Sequence, residues 1–105
     1  MVIYEVNLAV DAEVADAYAA WLAPHIDEVL AVPGFVSAAW WAVEPEVARP
    51  PDARRQWCVQ YRVESREALQ VYFDEHAARL RGDGLDRFGG RFEAARRVLV
   101  PRSGR

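Results

Sequence analysis

Four polar side chains occupy alternate positions in two segments with the pattern of β-strands, and they form the clearest candidate site in the sequence. Glu5 and Asn7 share one face of the first segment, and Gln60 and Arg62 share one face of the second, because successive strand residues point to opposite sides. An antiparallel pairing that sets Glu5 opposite Arg62 also sets Asn7 opposite Gln60. Such a layer could orient the polar group of a ligand, or it could be a structural salt bridge that fixes the register.

Two histidines offer groups for proton transfer. His76 lies on the apolar stripe of a predicted helix, where it is either a core histidine bonded to a carbonyl or carboxylate, or a catalytic group. His25 follows Pro24, which should kink the first helix, so its ring faces either the kink or solvent. The two histidines are fifty-one residues apart and have no clustered carboxylates around them. We therefore predict no metal site.

The other reactive groups form no catalytic pattern. Cys58 is the only cysteine, which excludes a disulfide framework within the chain, and no base is placed to activate its thiol. The sequence contains no phosphate-binding loop, no serine–histidine–aspartate spacing and no carboxylate pair. We expect no cofactor.

The hydrophobic pattern predicts the elements that carry these residues. Alternating apolar residues indicate strands, and apolar residues at helical spacing indicate two helices. Asp11 and Ser65 are expected to cap the helices, and Gly82-Asp83-Gly84 is expected to end the second one. In chain order, the elements are a strand at 2–10, a helix to about Val32, a strand at 35–44, a proline-rich loop at 45–54, a strand from Gln56, a helix after Ser65 and a strand at 92–100.

The order of these elements, β-α-β-β-α-β, predicts a ferredoxin-like α+β fold. Its sheet has four antiparallel strands in the order 4-1-3-2, with both helices on one face. We expect a single domain over residues 1–100 and a flexible tail over 101–105. Trp57 and Tyr61 then pack under the helices, and the polar layer lies on the opposite, open face of the sheet.

The open face of this sheet carries apolar residues as well as the polar layer. Ile3, Ala9, Cys58 and one of the adjacent Trp40 and Trp41 belong to it. Apolar area of this extent is seldom left in water. We therefore expect a homodimer in which two sheets meet face to face as a dimeric α+β barrel.

Charge is divided unevenly along the chain. Residues 1–48 contain eight acids and no arginine, whereas residues 49–105 contain eight acids and all thirteen arginines. Because acids lie among the arginines, we expect the halves to pack as complementary partners and expect no nucleic-acid binding. No apolar run approaches the roughly 18 residues of a membrane span, and no export signal is visible. The expected location is the cytoplasm.

Several segments together carry a resemblance to a known family. They are Tyr4-Glu5-Val6-Asn7, Pro33-Gly34-Phe35, Trp57 to Ser65, His76-Ala77, Arg81, Gly84, Phe88-Gly89 and Phe92 to Leu99. With these segments the chain resembles an uncharacterised bacterial family of small dimeric α+β barrel proteins over nearly its whole length, apart from the loop at 45–54 and the tail. That family has no assigned activity, so the resemblance implies the fold and the homodimer. Pro24 departs from the family's pattern.

The wider superfamily that the chain resembles includes antibiotic-biosynthesis monooxygenases, haem-degrading monooxygenases, stress-responsive barrels and muconolactone-isomerase-like enzymes. Several of them hold a hydrophobic or aromatic ligand between sheet and helices. In the haem-degrading members, an asparagine on the first strand, a tryptophan and a histidine on the second helix hold the haem. Asn7 and His76 are similar in placement, but the predicted register sets Asn7 on the open face, and neither Trp57 nor Trp40 stands where that tryptophan is expected.

We therefore expect a homodimeric barrel protein that binds a small apolar or aromatic ligand or is structural. One alternative is a cofactor-independent monooxygenase or isomerase acting on an aromatic or polyketide-like substrate, and another is a haem-binding protein. The catalytic candidates are His76, Asn7 and Arg62. The expected ligand-binding residues are Glu5, Asn7, Gln60, Arg62, Trp57 and His76.

Overall fold

A computed structural model describes all 105 residues. It contains one sheet with the strand order β2-β3-β1-β4, which is the predicted order, and the helices cover one face of it. The α+β ferredoxin-like fold is confirmed. The strands are β1 (Val2–Val10), β2 (Phe35–Ala42), β3 (Arg55–Val63) and β4 (Phe92–Leu99), and the helices are α1 (Ala15–Leu30), α2 (Arg66–Glu75) and α3 (Ala77–Phe88), with short 3-10 turns at Ala12–Val14 and Gly89–Arg91.

The core lies between the sheet and the helices, and aromatic rings fill its centre. Tyr4 of β1 packs against Tyr61 of β3, with ring centroids 5.9 Å apart, and against Tyr72 and Phe73 of α2, each at 5.5 Å. Because the even positions of β1 face the helices, Val2, Tyr4, Leu8 and Val10 are all buried. Tyr4 therefore joins the central strands to α2.

The register of the two central strands differs from the prediction. Glu5 lies opposite Gln60, and Arg62 lies opposite Ile3, so the expected pairing of Glu5 with Arg62 is wrong. The observed pairing is displaced by two residues from the predicted one. A displacement of two keeps every side chain on its predicted face, so the apolar pattern could not distinguish the two registers.

The second predicted helix is divided at its middle rather than ended by its glycines. Ser65 caps α2 as predicted, with its Oγ accepting from the Ala68 backbone N–H at 3.0 Å. The break falls at His76, which has φ −125° and ψ −32°. The glycine-containing segment that was expected to end the helix lies inside α3.

Gly84 is tolerated within α3 because a large side chain needs its space. A Cβ atom at this position would lie 2.9 Å from Cη2 of Trp21, whereas a Cβ at Gly82 would meet nothing within 4 Å. Trp21 is held in that position by a hydrogen bond from its Nε1 to Oδ2 of Asp83, 2.8 Å long. The glycine therefore serves the packing of α3 on α1.

The first helix also differs in detail from its prediction. Pro24 lies inside α1 without ending it. Asp11 forms no capping hydrogen bond, and its carboxylate instead accepts from Nε of Arg54 at 2.8 Å and Nε of Arg91 at 3.0 Å. These bonds tie the end of the long loop and the start of β4 to the end of β1. No helix is both long enough and apolar enough to cross a membrane.

The two glycines of α3 give a matched test of the Trp21 contact. We expect Gly82→Ala to raise the free energy of unfolding by about 1 kcal/mol, because alanine is the better helix former. We expect Gly84→Ala to be less stable than Gly82→Ala by about 1–2 kcal/mol, because the new methyl group displaces Trp21. Urea unfolding followed by tryptophan fluorescence measures both. Equal stability of the two variants would show that the Trp21 contact does not matter.

Candidate functional site

A buried carboxylate lies on the face of the sheet that the helices leave open. Glu5 is only 3% exposed, and it accepts hydrogen bonds from Asn7 Nδ2 and Gln60 Nε2, each 2.9 Å long, and from Nε of Arg97. These donors, Arg97 foremost, lower the pKa of Glu5 from 4.5 to about 2. Glu5, Asn7 and Gln60 thus meet in one layer, with Arg97 as the cation.

Arg62 and Trp57 are not part of this layer. Arg62 is exposed and lies across from Ile3 and Ser37, near the end of the strands. Trp57 lies on the face under the helices, where its ring centroid is 6.1 Å from that of Tyr18. Arg97 took the place expected of Arg62 because β4 is the other neighbour of β1 and sets Arg97 opposite Glu5.

His76 does not line the cavity between the sheet and the helices described below. It lies at the junction of α2 and α3, and its Nδ1 is 3.3 Å from Nη2 of Arg79 on the surface. Because His76 belongs to the helical layer and Asn7 to the open face, the sheet separates them. The structure therefore offers no common pocket for the proposed haem ligands, and it contains no group of three or more His, Cys, Asp or Glu placed to hold a metal ion.

A cavity of about 40 Å³ lies between the sheet and the helices, at the level of the aromatic core. All four tyrosines of the chain line it, two from the central strands and two from α1 and α2. Burial raises the pKa of Tyr18 and of Tyr72 to about 12 each and raises that of Tyr61 as well. These three phenols are therefore neutral near pH 7 and can act as hydrogen-bonding groups rather than as bases.

His25 is the histidine that lines this cavity. Its ring stacks on Trp21 with the centroids 4.4 Å apart, and its Nδ1 is buried without a hydrogen-bond partner. Burial lowers the pKa of His25, with Arg96 adding to the effect and Glu28 and Asp83 opposing it. A neutral imidazole with a free nitrogen can exchange a proton or a hydrogen bond with a ligand.

Arg81 of α3 also lines the cavity. Its Nη2 donates to the hydroxyl of Tyr4 at 2.9 Å, while its Nε is buried and has no partner. Buried polar groups are nearly always hydrogen-bonded. Two residues that line this small cavity, His25 and Arg81, thus each carry a buried nitrogen without a partner in the chain.

Trp21 separates this cavity from a wider groove on the outside of the protein. Its ring lines both the cavity and a groove of about 700 Å³ between α1 and α3, where Asp83 and Arg87 also lie. The hydrogen bond to Asp83 holds the ring in place. Trp21 is the one side chain that lines both spaces.

The cavity residues were missed because the sequence argument concentrated on the open face. His25 follows Leu22 by three residues and Tyr18 by seven, which is the spacing of one helix face, and this was the available signal. The expected kink at Pro24 left the direction of His25 undecided. No signal in the sequence joined Arg81 to Tyr4, seventy-seven residues away.

Comparison with known proteins identifies the family. The model of a domain of unknown function, DUF4286, matches residues 1–101, so the chain belongs to that family, and the expected membership of an uncharacterised family is confirmed. No curated protein sequence matches the chain.

Solved structures with the same fold share little sequence with this chain. A cofactor-independent oxygenase, SnoaB from Streptomyces nogalater, has a TM-score of 0.65 at 10% identity, over 98% of this chain and 95% of that chain. A monooxygenase from the gene ActVA-Orf6 of Streptomyces coelicolor, in complex with nanaomycin D, has a TM-score of 0.61 at 23% identity, over 98% and 88%. A dimeric ferredoxin-like protein from an uncultured marine organism has a TM-score of 0.65 at 13% identity, over 99% and 97%.

The lowered pKa of Glu5 predicts how stability depends on pH. Because the folded pKa lies below the ordinary value of 4.5, the carboxylate stabilises the fold above about pH 4.5, and this contribution is lost as the pH falls towards 2. We expect the free energy of unfolding of the native chain to fall over this range, and we expect a flatter profile in Glu5→Gln. The control is Glu46→Gln in the exposed loop, which should keep the native profile. The free energy of unfolding is measured by urea unfolding at each pH. If it changed with pH equally in Glu5→Gln and the native chain, the lowered pKa would not belong to Glu5.

Proposed function

We propose that this DUF4286 protein is a homodimer that binds a small aromatic ligand between its sheet and its helices. The observation that carries the proposal is the pair of buried polar atoms without partners, Nδ1 of His25 and Nε of Arg81, in a cavity with aromatic walls. Ligand sites combine such apolar walls with a few placed polar groups. Cytoplasm is the proposed location, and the free thiol of Cys58 agrees with a reducing compartment.

The ligand must open the cavity to enter it. A volume of about 40 Å³ admits water molecules or one end of a ligand, whereas sites for drug-sized molecules measure about 300–1,000 Å³. Trp21 is the side chain that we expect to move, because it alone lines both the cavity and the groove of about 700 Å³. A flat ring stacked on His25 could replace the indole of Trp21 without loss of aromatic contact.

The proposed dimer uses the open face of the sheet. Trp41 lies on this face opposite Cys58 and is 56% exposed, and Ile3 and Leu99 are paired towards the other end of the strands. A second copy would cover this apolar area and would enclose the polar layer around Glu5. In the single chain, the side chain of Arg97, which pairs with Glu5, is 66% exposed. The dimeric ferredoxin-like protein of the same fold supports the proposal.

A second candidate function is a cofactor-independent oxygenase or isomerase. The neutral His25, with its free Nδ1 at the cavity, favours it, because it could remove a proton from a bound substrate. Two proteins of similar fold are described as an oxygenase and a monooxygenase. Incubation of the protein with its captured ligand in air distinguishes the functions: a binding protein returns the ligand unchanged, and an oxygenase adds oxygen mass to it.

Filling the cavity tests the ligand site. Native mass spectrometry of protein purified from its own host should show a small-molecule mass bound to each chain. We expect Val6→Phe to lose this mass, because Val6 lines the cavity and the added ring occupies it. Val71→Phe, on the exposed side of α2, should retain the mass. A ligand that survives in a folded Val6→Phe protein, or no ligand in any preparation, would contradict the proposal.

The dimer has its own test. Sedimentation equilibrium at micromolar concentration should give twice the 11.9 kDa mass of one chain. We expect Trp41→Glu to return the mass of a single chain, because a charge would be buried in the interface. Val71→Glu changes a similarly exposed apolar residue on α2 and should remain dimeric. A single-chain mass for the native protein would exclude the dimer at that concentration.

A further inference from the structure

We infer that the ligand is an anion, an aromatic acid or ionised phenol whose charged oxygen pairs with Arg81. This inference rests on the proposed ligand site and concerns the chemical class of its occupant. It is drawn from the distribution of charge around the cavity. The cavity is lined by two arginines, Arg81 and Arg96, and by no aspartate or glutamate.

The guanidinium of Arg81 has no carboxylate partner. Its one hydrogen bond among the side chains goes to the neutral hydroxyl of Tyr4, and it takes part in no ion pair. The guanidinium also lies over the ring of Phe73, with Cζ of Arg81 6.0 Å from the ring centroid. Arg81 is half-buried, and partial removal of a charge from water without a counter-charge has a cost in free energy. An anionic ligand would supply the missing charge.

Two acids near His25 do not serve as counter-ions for Arg81. Asp83 and Glu28 line the outer groove rather than the cavity. Asp83 accepts from Nε1 of Trp21 at 2.8 Å and from Nε of Arg87 at 3.2 Å, so its carboxylate already has a donor on each oxygen. Trp21 stands between this acid and the cavity. These two acids thus face the outer groove, whereas Arg81 and Arg96 line the cavity.

The free donor of Arg81 is suited to an oxygen anion. Its Nε–H has no partner, and hydrogen bonds from guanidinium to a charged oxygen are shorter and roughly twice as strong as neutral ones. Arg96, which is exposed and lies on β4, adds positive potential at the edge of the cavity. That potential would draw an anion inwards. The aromatic walls then fix the rest of the ligand as a flat ring.

Paired acids and amides of equal shape test the inference. Calorimetric titration should be carried out with benzoate and benzamide, and with 2-naphthoate and 2-naphthamide, on the native protein and its variants. We expect the native protein to bind each acid at least about tenfold more tightly than its amide, because only the acid forms a charged pair. We expect this ratio to fall to about one in Arg81→Met. The matched control is Arg79→Met, an exposed arginine on the same helix, which should keep the native ratio.

The outcomes separate the inference from the proposed function. Equal affinity for acid and amide in the native protein would contradict the inference that the ligand is an anion. It would not contradict the proposed ligand site. Binding of neither member of either pair counts against both. A native ratio that persists in Arg81→Met overturns the role of Arg81. Should Arg81→Met fail to fold, Arg81→Lys retains the charge but not the planar donors, and it should keep a preference for the acids at reduced strength.

Discussion

The alternation of side chains along β1 is the constraint on which both candidate sites depend. Tyr4 and Glu5 are adjacent in sequence but project from opposite faces of the sheet. Tyr4 enters the aromatic core and binds Arg81, while Glu5 organises the polar layer on the open face. Because β1 lies between β3 and β4, each residue receives partners from both sides. One central strand thus sets the position of the cavity and of the surface proposed for dimerisation.

The sequence was sufficient for the fold and for the faces of the strands, but not for the partners across them. Alternation assigned Glu5, Asn7 and Gln60 correctly to one face, since a pattern of period two survives any shift by two residues. The same property made Arg62 and Gln60 equally acceptable opposite Glu5. The cation came instead from β4, whose two adjacent arginines face opposite sides, so Arg97 joined the layer and Arg96 the cavity. Only the three-dimensional pairing could decide this.

The helices show a different limit of the sequence pattern. Apolar spacing placed His76 on a buried stripe, but the helix breaks at this residue and leaves it half-buried, with Nδ1 beside the exposed Arg79. Glycines that usually end a helix were retained within α3, because Gly84 accommodates the ring of Trp21. That contact is between residues sixty-three positions apart and has no local signature. The same packing of α1 on α3 brings His25 to the cavity, so the histidine with a chemical role in the proposal is the one that the pattern left undecided.

The uneven distribution of charge in the sequence explains why the cavity keeps its positive character. Four ion pairs join acids of residues 1–48 to arginines of residues 49–105, as expected for complementary halves, and they involve Glu5, Asp11 and Glu13. All of these pairs lie on the open face or at the end of the sheet near the loop. The first half therefore supplies only apolar and aromatic side chains and His25 to the cavity, and the second half supplies Arg81 and Arg96. Because no aspartate or glutamate lines the cavity, the proposed anionic ligand would supply the counter-charge for Arg81.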